Sequence, residues 1–333
     1  MADVLRGLVS ASGAFLVAWA FPSAILLSVS ALVVLPELSS LSTVTDLQAL
    51  DATEKALVLA FASIVLGLIL SSVSTPLYRV LEGYSFPRRL QRWGTDRQRR
   101  IKAALEEEVS REGVERDRWR QALAAERLQR FPADDGQIAP TRLGNSLRAF
   151  ETYGVDRYQL DSQTFWVQLI ATAPPRVRED VMTARTSVDF YVCSAFLSAL
   201  FAATCLSIGF LSAESPDWEL VTWGVIGILV APACYRGSLV GSSYWAATVR
   251  ALVDLGRKPL ADSMGLQLPA TIEEERAMWE VVAAFAFYPY DASWSPRLDP
   301  YRIQPRALLD PGYPTARPTP WQRLTRFLRA DDD

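Results

Sequence analysis

The chain of 333 residues contains no histidine. This absence excludes Ser-His-Asp and Cys-His catalysis, an imidazole proton switch and a His-based zinc site. The cysteines Cys193, Cys205 and Cys234 are too far apart for a metal knuckle or a redox pair and are expected to pack in apolar surroundings. Since no Gly-rich phosphate loop is present either, we predict that the protein is not an enzyme and holds no cofactor or metal.

Half of all residues are apolar, and the net charge is −3. The apolar residues are concentrated in four long blocks from which charge is nearly absent. The blocks cover about 13–35, 56–75, 190–211 and 220–240, each near the 20 residues that cross a hydrocarbon core. Pro22 is expected to kink the first block. Val29-Ser30-Ala31 resembles a signal-peptide cleavage site, but the apolar stretch is too long and only Arg6 precedes it. The sequence therefore predicts an all-α membrane protein with four transmembrane helices and a helical cytoplasmic domain.

The connections between the blocks predict the orientation. Acidic residues dominate the stretches 36–54 and 213–219, whereas arginines follow the second and fourth blocks. By the positive-inside rule, both termini and the central segment lie in the cytoplasm. Basic residues are almost all arginine, and alanine is abundant, which is typical of a GC-rich bacterial genome. We therefore expect a multi-pass protein of the bacterial plasma (inner) membrane.

Five regions follow from this pattern. They are a first transmembrane hairpin (1–76), a cytoplasmic helical domain (77–188), a second transmembrane hairpin (189–242), C-terminal cytoplasmic helices (243–288) and a Pro-rich tail or docking arm (289–333). Within the helical domain, 96–130 predicts an amphipathic helix or helical hairpin with Gly113 as its weak point, and 141–153 and 161–173 predict two more helices. A helix that begins at Arg176 is expected to continue into the third span. The run 270–275 predicts the capped, acid-rich start of one more helix through Phe285.

Three phrases of the chain resemble a family of bacterial four-span membrane proteins with a helical cytoplasmic domain. They are Thr75-Pro76-Leu77-Tyr78-Arg79 with Glu82-Gly83-Tyr84, then Pro140-Thr141-Arg142-Leu143-Gly144-Asn145-Ser146-Leu147-Arg148 with Tyr158, Leu160, Asp161 and Trp166, and finally Leu268-Pro269-Ala270-Thr271 with Glu273-Glu274-Glu275 and Trp279. The family has Tyr-Gly-Leu-Asp and Trp-Pro-Arg-Leu where this chain has Tyr158-Gln159-Leu160-Asp161 and Trp166-Val167-Gln168-Leu169. The resemblance implies the four-span architecture and transfers no catalytic residue.

Small and hydroxyl residues recur at a spacing of four in the spans. The set comprises Ser63, Gly67, Ser71 and Thr75 on the second span, Ser194 and Ser198 on the third, and Gly237 and Gly241 on the fourth. Such a face either lines a pore or lets helices pack closely, and both interpretations remain open. Within the apolar blocks, ionisable residues occur only at the margins, at Asp189 and Arg236, where we expect snorkelling. A transporter coupled to protons or sodium is therefore not expected.

Arginines cluster immediately after the second span and again in the helical domain. The candidate anion, lipid or nucleotide ligands are Arg88, Arg89, Arg92, Arg97, Arg99, Arg100, Arg142 and Arg148. Anionic lipid is one interpretation, and a phosphate-rich ligand such as a cytosolic nucleotide or oligonucleotide is the other.

Together these features favour a homo-oligomeric channel or pore gated through the cytoplasmic helical domain, and one setting for it is a signal-gated effector of bacterial antiphage defence. The alternative is a non-conducting membrane scaffold or anchor. Its cytoplasmic helices and aromatic C-terminal tail would recruit a protein partner.

Overall fold

The computed structural model describes residues 13–38, 49–111, 118–211, 216–288 and 295–303, and those residues are mostly helical with no strand. Two compact units are present, 1–257 and 258–333. Four helices are long and apolar enough to cross a membrane, as the sequence predicts: α1 (Gly13–Val33), α2 (Ala52–Ser72), α9 (Pro175–Leu211) and α10 (Trp218–Ser263). The expected orientation of the termini stays a prediction.

Helix α1 is distorted where proline was expected to bend it. Residues Leu16–Ala20 form a π-helical turn, and the backbone N–H of Phe21 donates to the carbonyl of Leu16. Pro22 lacks an N–H and its ring crowds the carbonyl four residues earlier, so a wider turn relieves the clash. Ser23 compensates in part, because its buried hydroxyl donates to the carbonyl of Trp19 at 2.7 Å.

Helix α2 begins with a capping box. The Asp51 carboxylate accepts from the backbone N–H of Glu54, and the Glu54 side chain accepts from the N–H of Asp51. The helix ends at Ser72, three residues before the predicted limit, and after Val73 the chain continues as α3 (Ser74–Glu82). Gly83 then adopts φ +91°, a left-handed cap that permits the turn toward the next helix.

The charged run forms two helices, α4 (Arg88–Ser110) and α5 (Arg118–Leu128), which pack against each other as a hairpin. The hairpin form of the prediction is therefore confirmed, although α4 begins eight residues earlier than expected. Gly113 lies outside the described residues.

Three short helices follow: α6 (Arg142–Glu151), α7 (Tyr153–Tyr158) and α8 (Trp166–Thr172). The predicted helix over 141–153 corresponds to α6, the helix α7 after it was not predicted, and α8 begins five residues later than expected. Gln159 ends α7 with φ +59°, a left-handed conformation that favours glycine.

Helices α9 and α10 are unbroken over 37 and 46 residues, or about 55 and 70 Å at the α-helical rise. A hydrocarbon core is about 30 Å thick, so both helices extend well beyond one. This confirms the predicted continuity of the helix near Arg176 with the third apolar block. The two helices approach closely at glycines: a Cβ on Gly227 would lie 2.8 Å from the Ala202 Cβ, and one on Gly237 would lie 2.6 Å from the Tyr191 ring.

The second unit contains α11 (Ile272–Phe287) and the short helix α12 (Ser295–Leu298). Thr271 caps α11, because its hydroxyl accepts from the backbone N–H of Glu274 as the sequence predicts. Trp279 is buried, and its indole N–H donates to Glu275 at 3.2 Å. Most of the predicted tail, 289–294 and 304–333, lies outside the described residues.

Candidate ligand-binding cavity

A cavity of about 410 Å³ lies where three of the four apolar helices continue into the polar part of the first unit. One wall is α3, which follows α2 after the single residue Val73. Its contribution is a stripe of polar side chains at helical spacing: Ser74, Thr75, Tyr78, Arg79 and Glu82. Because residues four apart share a helix face, these groups point into one recess.

The remaining walls come from four other segments. Helix α6 contributes Leu147, Phe150 and Glu151, whereas Arg185 comes from α9 and Trp245 from α10. Gln163 and Trp166 complete the lining at the start of α8. The cavity therefore combines guanidinium groups, carboxyl groups and aromatic rings, a mixture suited to a small ligand that has both charge and a flat apolar surface.

A partly buried hydrogen bond joins α3, the continuation of α2, to α9 beside this cavity. The Tyr78 hydroxyl donates to the Asp189 carboxylate at 2.6 Å, and Arg185 lies 3.7 Å from the same carboxyl group. Asp189 is only 8% exposed. The expectation that Asp189 snorkels toward water was therefore wrong, since a neighbouring hydroxyl supplies the partner that water would have provided. Arg236, the other marginal charge, is exposed.

A second recess of about 450 Å³ adjoins the first, because Arg79 and Glu82 line both. Arg148 faces it and donates to the Tyr84 hydroxyl at 3.0 Å, with its guanidinium over the Tyr84 ring. The hydrogen bond to Tyr84 raises the pKa of Arg148. Glu151 lies 3.6 Å from the same guanidinium.

The two glutamates of the cavity hold their protons more tightly than usual. Burial raises the pKa of Glu82, and repulsion from the neighbouring Glu151 raises it further. Burial also raises the pKa of Glu151, against the opposing effect of Arg148. Both carboxyl groups therefore lack full compensation for lost hydration.

Helix α6 fixes the cavity wall to α10 by polar and aromatic contacts. The Ser146 and Ser242 hydroxyls form a buried hydrogen bond of 2.8 Å. The Phe150 and Trp245 rings lie 4.9 Å apart between centroids. One turn further along, Tyr153 and Tyr158 both donate to the Asp254 carboxylate at 2.9 to 3.0 Å. These contacts join the cavity wall to α10.

Asn145, which the sequence places between two arginines of a candidate anion site, serves the backbone instead. Its side-chain oxygen accepts from the N–H of Ala139, and its amide donates to the carbonyls of Ala139 and Thr141. All three bonds stabilise the turn that leads into α6. Asn145 is therefore not free to bind an anion, and Arg142, at the start of the same helix, is exposed and lines neither recess.

No protein-family model, no curated protein and no solved structure matches this chain. Within the described ranges, no cluster of three or more Cys, Asp or Glu residues could hold a metal ion.

The small-residue stripe of α2 divides between two environments. Ser63 and Gly67 are buried, and a Cβ on Gly67 would lie 3.1 Å from the Ala20 backbone of α1. Ser71 is half-buried, whereas Thr75 lines the cavity. The stripe divides because residues four apart on a helix of 3.6 residues per turn drift around its axis, and because Val73 interrupts α2.

The small residues of α9 and α10 lie at or near the crossing of those two helices. Ser194 and Ser198 are half-buried, and a Cβ on Gly227 would lie 3.0 Å from the Ser198 carbonyl. A Cβ on Gly241 would lie 3.2 Å from Val188 Cγ2. Gly237 and Gly241 therefore take part in packing within one chain.

The candidate arginines of α4 do not reach the cavity. Arg88, Arg89, Arg92, Arg97, Arg99 and Arg100 all lie on the exposed surface of α4. Lys102, at the end of that run, is buried and donates to the Ala133 carbonyl and to Asp135. Of the eight candidate arginines, only Arg148 lines either recess.

The sequence analysis did not identify the groups that form the cavity, above all Tyr78, Glu82 and Glu151. A signal was available, since Tyr78 and Glu82 are four residues apart directly after an apolar span. The segments around Tyr78 and Arg148 are adjacent in the fold, where the Thr141 hydroxyl donates to the Leu81 carbonyl at 2.8 Å.

Proposed function

We propose that the protein is a homo-oligomeric channel of the bacterial inner membrane, gated by a cytosolic ligand that occupies the cavity. The observation that carries the proposal is the origin of the cavity walls. One wall is α3, which directly follows the apolar helix α2, and two others are the polar parts of the apolar helices α9 and α10. A ligand that changes the spacing of these walls would move the corresponding spans, because helices are stiff over this length. Such a ligand shifts a channel equilibrium only as far as it binds one arrangement better than the other.

The conduction path in this proposal lies between copies of the chain. The space beside small residues that could line a pore, such as Gly67 and Gly237, is occupied by other residues of the same chain. By contrast, α2 presents an extended apolar face, with Phe61 and Leu68 more than half exposed. Such a face fits lipid or another subunit.

Purified protein, sized in detergent and then incorporated into a planar bilayer, tests the proposal. Discrete conductance steps from an oligomer are expected. Gln163→Trp places a large ring at the exposed rim of the cavity and should alter the open probability at unchanged unitary conductance. Gln168→Trp is the matched control, since Gln168 is exposed on α8 outside the cavity lining.

Other outcomes would contradict the proposal in different ways. A silent, monomeric protein would favour the scaffold alternative. A Gln163→Trp channel with altered unitary conductance would place the cavity in the permeation path and would remove the gating role.

A further inference from the structure

The exposed side of α4 carries a concentration of positive charge. Residues 88–100 contain six arginines and one acid, Asp96, in a chain whose net charge is −3. All six arginines are exposed. Among them stand two apolar side chains that are also open to solvent, Trp93 at 57% and Leu90 at 44% exposure.

Packing on the other side of α4 fixes the direction of this charge. Gly94, Gln98 and Lys102, each four residues apart, are buried. A Cβ on Gly94 would lie 2.7 Å from the Pro140 carbonyl, so the helix is held closely there. Arg89, Trp93 and Arg97 follow the same spacing on a separate face and therefore point away from the protein.

Few partners within the chain neutralise these arginines. Arg88, Arg89 and Arg92 form no ion pair with another described residue, whereas Arg99 lies 3.7 Å from Asp96. Arg97 stacks over Trp93, with its guanidinium carbon 5.8 Å from the ring centroid. We call Arg88, Arg89, Arg92, Trp93, Arg97 and Arg100 the basic face.

The basic face begins close to the end of the second apolar helix. Only α3, nine residues or about 13 Å long, and a short turn separate Ser72 from Arg88. An arginine at this distance can reach lipid headgroups. Neither of the two cavities described above includes a residue of α4. A convex helix face without a recess suits an extended charged surface better than a small nucleotide.

We propose that the basic face docks on the anionic lipid headgroups of the membrane that holds the apolar helices. Each arginine near such a surface contributes about a fivefold preference for binding. The Trp93 ring lies at the headgroup level, where amphipathic aromatic side chains are enriched, and Leu90 covers its apolar edge. The docked helix hairpin then anchors the polar segment beside the membrane, independently of whether the protein conducts.

Tryptophan quenching by brominated lipids tests the contact in the full-length protein. The protein is reconstituted into phosphatidylcholine vesicles with or without phosphatidylglycerol, all brominated on the acyl chains near the headgroup. Subtracting the emission of Trp93→Phe from that of the unmodified protein isolates Trp93. We expect its quenching only with phosphatidylglycerol, and its loss in about 1 M salt, where the Debye length is about 3 Å.

Charge reversal provides the second arm. Arg88→Glu, Arg89→Glu and Arg92→Glu together should shift the docking equilibrium by at least about a hundredfold and abolish the Trp93 quenching. The matched control reverses three exposed arginines of α5, Arg118, Arg120 and Arg127, and should leave quenching unchanged. The salt arm uses the unmodified protein, so the proposal stays testable if a variant fails to fold.

Quenching that is absent, or equal with and without phosphatidylglycerol, would overturn the proposal. So would a triple variant that is still quenched but has lost binding to a fluorescent single-stranded oligonucleotide, because the face would then be a nucleic-acid site.

Discussion

Helices α2 and α9 are both apolar enough to cross a membrane, yet they occupy different environments within one chain. In the most apolar window of α2, 11% of residues are buried inside the protein, against 44% for α9. Helix α9 packs against α1 through Cys193 and Leu197 and is close to α10 through Cys205. Helix α2 contacts mainly α1.

This difference shows that α9 is central in the chain and that α2 is peripheral. Composition alone does not distinguish them, because mean hydropathy is 2.1 for α2 and 1.9 for α9. The central helix carries the structure of the single chain, whereas the peripheral helix leaves an apolar face for lipid or for another copy.

The largest expected effect comes from removing matched leucines from the two helices. Leu197 is 3% exposed and Leu68 is 52% exposed. Leu197→Ala should lower the free energy of unfolding by about 2 to 5 kcal/mol through the cavity it leaves. Leu68→Ala should cost less than about 1 kcal/mol. Denaturant unfolding in detergent measures both. An equal loss of unfolding free energy in the two variants would contradict the peripheral position of α2, because it would mean that another copy covers its outer face.

A smaller effect is expected where the two helices are joined. Tyr78→Phe removes the hydrogen bond to Asp189 and leaves a buried carboxylate short of one donor. We expect a loss of about 1.5 to 3 kcal/mol in the free energy of unfolding. Tyr244→Phe is the control at an exposed tyrosine of α10, and it should unfold like the unmodified protein. If Tyr78→Phe is neutral, the continuations of α2 and α9 are not energetically linked there.

The smallest effect concerns pH. Because the folded protein raises the pKa of Glu82, it binds that proton more tightly than the unfolded chain does. The free energy of unfolding therefore decreases as the pH rises from the ordinary pKa of a glutamate through the raised pKa of Glu82. It recovers as the pH falls and the carboxyl group is protonated again. Glu82→Gln should slightly raise Tm at neutral pH and flatten the pH dependence of Tm in that range. The control Glu280→Gln, at an exposed site, should change neither; an unchanged pH profile in Glu82→Gln would contradict the assignment.

Local signals in the sequence were sufficient for the long elements. The helix through Arg176 and the cap at Thr271 follow from the lack of breakers and from side-chain capping chemistry, and both are present. Element ends were less accurate. The end of α2 at Ser72 and the separate short helix α7 after Thr152 were not predicted, because helix ends involve only a few residues and are weakly specified by local sequence.

The site was harder to predict than the fold. The arginines drew attention because they are adjacent in sequence, but most of them lie on an exposed helix face. The cavity combines Tyr78, Glu151, Arg185 and Trp245, which are separated by up to 167 positions, and no spacing rule relates them.

The sequence by itself determined the four apolar helices and the continuity of the third with the polar helix before it, because burial of apolar residues and backbone hydrogen bonding act along each segment separately. Only the tertiary structure decided that α9 is enclosed and α2 is not, that Asp189 has a tyrosine partner, and that α3, α6, α9 and α10 meet around one cavity. Those outcomes depend on which surfaces fit together, and shape complementarity between distant segments is not written in the composition of any one of them.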